Sequence, residues 1–75
     1  MMYLAVYLGG NGALLVDKKT HEPLNHQLGE FDGDDEAIQN ACEQLECQHV
    51  HRGVITKGYG LGGFMVMNEQ EFSAI

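Results

Sequence analysis

The sequence predicts an α+β domain: an antiparallel sheet of four to five strands with a single helix packed on one face, ordered β-β-(β)-α-β-β. Three observations predict it. Aromatic and branched residues gather in short runs near both ends of the chain, as strands require. Two glycine-rich breaks, GGNG and GYGLGG, follow or separate those runs. Between the breaks, one stretch repeats its apolar residues at helical spacing. With 75 residues, the chain is expected to form one compact domain over 1–75. A chain this short buries only about 60% of its unfolded surface, so the core is thin. Its 44% hydrophobic content and single proline favour folding over disorder.

YLAVYL, from Tyr3 to Leu8, has the aromatic and branched content of a strand. GGNG then reads as a hairpin turn into a second strand, ALLVD, because glycine and asparagine tolerate positive φ. KKTHEPLNH is polar, holds the only proline, and reads as a loop. QLGEF, Gln27 to Phe31, is a short third strand.

GDDEAIQNACEQLE is the helix. Its opening carboxylates are expected to cap free amides and to favour the positive end of the helix dipole. Ala37, Ile38, Ala41, Cys42 and Leu45 fall on one face, with Asp35, Glu36, Gln39, Asn40, Glu43 and Glu46 on the other. HVHRGVITK and GGFMVMN read as two final strands joined by GYGLGG. In the last strand Phe64 and Val66 alternate with Met65 and Met67, and one helix can shield only one of those faces. A covered methionine face would therefore call for a partner or a second copy.

Charge narrows the function. The formal net charge is −7, unevenly placed. From Thr20 to His51 lie eight carboxylates (Glu22, Glu30, Asp32, Asp34, Asp35, Glu36, Glu43, Glu46) and no lysine or arginine, while the rest sums to +1. Direct nucleic-acid binding is not expected, since phosphates are held by clustered lysine and arginine. Anionic membranes are disfavoured for the same reason. No basic segment precedes Lys18 and the run Leu4 to Leu8 is short, so neither a secretory signal nor a membrane span is expected. Two cysteines are few for a small secreted domain, which points to free thiols in a reducing cytoplasm.

CEQLECQHVHRG gathers two cysteines and two histidines, but its C-x4-C-x-H-x-H spacing matches no common zinc pattern. Cys42 belongs to the apolar helix face. If a strand begins near Cys47, then Cys47, His49 and His51 alternate onto one outer face, where they could chelate a metal. A contact surface is the simpler use. GxGxxG at Gly58, Gly60 and Gly63 precedes strand-like FMVM rather than a helix, which excludes a dinucleotide unit. It reads as a hairpin with Tyr59 and Leu61 as contact anchors at its tip. EFDGDDE resembles a calcium loop opening, with Asp32, Asp34 and Glu36 alternating and Glu43 following, but Ala37 stands where such a loop needs glycine.

Catalytic machinery is not expected. Cys47 beside His49 or His51 is the one thiol–imidazole pairing the sequence offers, with no orienting third group. The reading that remains is a cofactor-free, acidic, protein-binding module. It would inhibit or regulate by occupying a partner's basic surface, including one that normally holds nucleic acid. Asp32, Asp34, Asp35, Glu36, Glu43, Glu46, Tyr59 and Leu61 are its contact residues. In size and charge the chain resembles small acidic proteins of phages and mobile elements that block host defence nucleases, a likeness of composition. A metal-binding protein and a structural subunit or homodimer are the alternatives.

Overall fold

The computed structural model describes residues 1–51, 53–57 and 62–74. Its elements are β1 (Met2–Leu8), β2 (Asn25–Glu30), α1 (Asp34–Leu45), β3 (Gln48–His51), β4 (Val54–Thr56), β5 (Gly63–Asn68) and α2 (Glu69–Ser73). The strands form one five-stranded sheet in the order β2-β1-β5-β4-β3, with every neighbouring pair antiparallel. The class is α+β, with α1 laid across one face.

Cross-strand partners share a face, so the register sorts the side chains. Tyr3, Ala5, Ile55, Phe64, Val66 and Leu28 meet Ala37 and Ala41 of α1. Ala37 and Ala41 are 0% exposed. Their small side chains let the helix axis come close to the sheet. Ile55 is also fully buried, a burial that stabilises by roughly 1.5–3 kcal/mol.

The other face carries Leu4 opposite Met67, Val6 opposite Met65, and Leu8 opposite Gly63. Leu4, Val6, Leu8 and Met67 are all buried within this single chain. The methionine side thus differs from expectation: the chain closes much of it unaided, and Met67, at 6% exposure, leaves little for a partner to cover.

Three elements depart from the sequence reading. First, ALLVD is not a strand. The turn after β1 forms, with Gly12 at φ +83 and the Asn11 carboxamide accepting the Ala13 amide at 3.0 Å. Beyond it lie only two isolated bridges, Leu8 with Leu14 and Val16 with Pro23. On that edge β1 pairs instead with β2, from Met2 opposite Glu30 to Val6 opposite Asn25, and a bulge at Leu28 delivers that side chain to the core. Leu14, Leu15 and Val16 are consecutive and apolar, a pattern that favours neither sheet face. Second, HVHRGVITK is two strands. Gly53 at φ +83 turns the chain between β3 and β4. A Cβ there would lie 3.1 Å from the Val66 carbonyl oxygen. Third, a second helix, α2, follows the last predicted strand. Its start carries a capping box, in which the Asn68 side chain accepts the Glu71 amide at 2.8 Å and the Glu71 carboxylate accepts the Asn68 amide at 3.4 Å.

Candidate functional site

The acidic surface is built by α1. Gly33 is its N-cap, in extended conformation, and no side chain caps the helix. The expected capping by carboxylates therefore does not occur. Asp34, Asp35 and Glu36 lie within the first turn, where the helix dipole favours negative charge without any capping bond. Asp34 also ties the helix to the sheet, since its Oδ1 accepts the Tyr3 hydroxyl at 2.7 Å and pins the helix start to β1. That bond, together with burial and the charges of Asp34 and Glu71, pushes the Tyr3 phenol from 10.0 up to about 12.

The other end of α1 is different. Its last turn holds no basic residue, although cations are the side chains favoured there. Glu43 is exposed one turn from the end, and Glu46 ends the helix in the left-handed region at φ 55, ψ 46. Glycine is the residue that conformation prefers. A non-glycine residue there is strained by roughly 1–2 kcal/mol, and its carboxylate opposes the dipole as well. Gln44 and Asn40 hydrogen-bond to each other between the two ends, and Gln44 approaches His26 at 3.5 Å.

Asp32, Asp35, Glu36, Glu43 and Glu46 are all exposed. Among the described residues, none of these five is ion-paired to a lysine or histidine. Lys18 and Lys19 lie in the segment between β1 and β2, away from α1 in the chain. Asp35, Glu36, Glu43 and Glu46 thus lie along roughly 18 Å of α1 and its C-cap, while Asp32 precedes the helix near the Met1 ammonium, and the Lys57 charge acts on Cys47 beside Glu46. Tyr59 and Leu61, expected at the tip of a glycine hairpin, lie outside the described residues, as do Gly58 and Gly60. Gly63 begins β5, where a Cβ would stand 2.1 Å from the Ile55 carbonyl oxygen. Close strand packing accounts for that glycine.

The Cys/His stretch divides differently from the expected outer face. Cys47 precedes β3 and is buried in the core at 8% exposure, its thiol donating to the Leu45 carbonyl at 3.3 Å. His49 pairs with Ile55 and His51 with Val54, with Val50 as an extra residue between them. Ile55 and Val54 are adjacent on β4 and face opposite ways, so the alternation that would have aligned the three candidate ligands is broken. The side chain of His51 lies outside the described ones. Among the described residues no group of three or more His, Cys, Asp or Glu is placed to hold a metal ion. The calcium-like run is likewise helix: Asp34 and Glu36 are in α1, and Ala37 is core.

Cys42, half-buried against the core, shares a hollow of about 330 Å³ with Asp35, Ile38, Gln39 and His49. This Cys42–His49 neighbourhood is not legible in the sequence, because it depends on which strand α1 crosses. Burial, then the charge of Glu43, pushes the Cys42 thiol up; the His49 backbone amide opposes them. Burial also raises Cys47. Both thiols are therefore held protonated, the less nucleophilic form. The His49 imidazole accepts the Gly53 amide through Nε2 at 3.1 Å, so that nitrogen is occupied in closing the β3–β4 turn.

No family model, curated protein or solved structure matches the chain.

Proposed function

We propose that the chain is a small protein-binding module that inhibits or regulates a partner by laying the acidic face of α1 on a basic surface. One observation supports this reading above the others: Glu43 and Glu46 occupy the end of α1 where helix physics disfavours them. The acids at the start of α1 serve the helix. Those at its end do not, and sequences break local rules most often where function requires it.

A basic groove that normally holds nucleic acid is the surface such a row of carboxylates suits, since it presents negative charge along a rod as a phosphate backbone does. Action by occupancy rather than catalysis fits two thiols kept protonated. A reducing, cytoplasmic setting fits both cysteines being free. Inhibitors of host nucleases carried by phages or mobile elements are the class this reading indicates. No helix of the described residues is long and apolar enough to cross a membrane, and the partner proposed is a protein.

The test begins with affinity capture from the native host and measures the captured partner's binding in solution. Replacement of Glu43 and Glu46 by lysine should weaken that binding at least tenfold, and added salt should weaken the wild type steeply. An affinity indifferent to both changes would rule out charge mimicry.

A further inference from the structure

The largest gathering of exposed apolar side chains lies away from the acidic helix. Tyr7, Leu14, Leu15, Val16 and Leu24 are each between 36% and 48% exposed. Backbone hydrogen bonds tie them into one corner: Tyr7 N–H donates to Leu24 at 2.9 Å, Leu15 N–H to Tyr7 at 3.0 Å and Leu24 N–H to Leu15 at 2.9 Å. Two of these bonds, those of the Leu15 N–H and the Leu15 carbonyl, use the inner edge of the segment Leu14–Val16. Among the described residues, nothing hydrogen-bonds to the backbone amides or carbonyls of Leu14 and Val16. Alternate residues of an extended chain turn their peptide groups to opposite edges, so these groups form an open outer edge.

We propose that this edge pairs with the same edge of a second copy, giving a two-fold symmetric dimer. An unpaired extended edge with apolar side chains is a ready template for another strand. Antiparallel pairing centred on Leu15 sets Leu14 of each copy against Val16 of the other, which satisfies the isologous requirement. Leu14 is bridged to Leu8 and so lies on the methionine side, with Val16 two residues on beside it. Each contact is then aliphatic against aliphatic.

Charge selects a second copy as the occupant. Two chains of net charge −7 repel over most of their surface. Residues 13–24 hold Asp17 and Glu22 against Lys18 and Lys19, a balance of zero. Like chains approach there without net repulsion between the paired segments, and α1 of both copies stays open. The sheet's own edges suit pairing less: β2 bulges at Leu28, ahead of Gly29 at φ 122, and β3 bulges at Val50.

An edge of three residues is small for a stable interface, so the dissociation constant expected is weak, on the order of 0.1 mM. Sedimentation of the full chain should show the mass rising from 8.3 kDa toward twice that value as concentration approaches about 1 mM. Leu14→Lys with Val16→Lys should weaken association at least tenfold while circular dichroism stays unchanged. In wild-type samples mixing labelled and unlabelled chains, intermolecular nuclear Overhauser contacts should join Leu14 to Val16, a readout that needs no variant to fold. A wild-type mass fixed at 8.3 kDa at that concentration, or intermolecular contacts located elsewhere, would overturn the proposal.

Discussion

The two ends of α1 carry the same sign of charge in opposite electrostatic settings. At the start, Asp34, Asp35 and Glu36 sit in the first turn, and Asp34 also accepts the Tyr3 hydroxyl. At the finish, Glu43 and Glu46 face the negative end of the dipole, and Glu46 has a left-handed backbone. The difference separates acidity that builds the helix from acidity that is carried in spite of it. Composition alone cannot draw that line, because all five residues look alike in a count of carboxylates.

Both ends belong to one packed helix, and the largest effect should come from unseating it. Ala41→Leu would overpack a position with no free surface and should cost about 1–3 kcal/mol, read by chemical denaturation. A neutral result would mean α1 is not seated as described. Next, Glu46→Gly should relieve the left-handed strain and remove a charge from the wrong end of the dipole. A stabilisation of roughly 1 kcal/mol is expected; a loss would show that Glu46 serves the fold after all. Smaller again, Asp35→Asn with Glu36→Gln should destabilise by about 0.3–1 kcal/mol per residue, whereas Glu43→Gln should leave stability unchanged or slightly raised.

A pH signature also marks the start of α1. Tyr3 should ionise near 12 rather than 10.0, visible as a delayed step in the tyrosinate absorbance. Because the folded value lies above the unfolded one, the bond's contribution is present below pH 10.0 and is lost as pH rises through about 12. Tyr3→Phe should abolish the delayed step, and Asp34→Asn should move it back toward 10.0. A Tyr3 step that stays put in Asp34→Asn would show that the phenol is not bonded to that carboxylate.

The class of fold, α1 with its buried face, β1 and β5 are legible in the sequence, because α1 keeps an uninterrupted helical spacing and the two strands are unbroken apolar runs. What is not legible follows from tertiary choices. Leu14, Leu15 and Val16 have strand composition, yet β2 holds the longer pairing with β1, and Leu28 reaches the core from a bulge that no alternation in the sequence marks. Cys47 has the look of a strand residue beside His49, but it lies before β3, and the extra residue Val50 interrupts the alternation after His49. The capping box of Asn68 and Glu71 is written in the sequence, but so little chain follows it that a helix there is easily overlooked. Of the acidic face, the exposure of Asp35, Glu36, Glu43 and Glu46 follows from periodicity. The left-handed backbone of Glu46 does not, because no sequence pattern marks it.

The most direct test compares two variants of equal charge in binding to the partner captured from the native host. One neutralises Asp35 and Glu36, the other Glu43 and Glu46, each by the corresponding amide. Both variants should lose affinity, the second pair the more, by at least tenfold with stability unchanged or raised, while the first should lose stability as well. Equal losses of affinity from the two variants would contradict a special role for the helix end, since net charge alone would then explain binding.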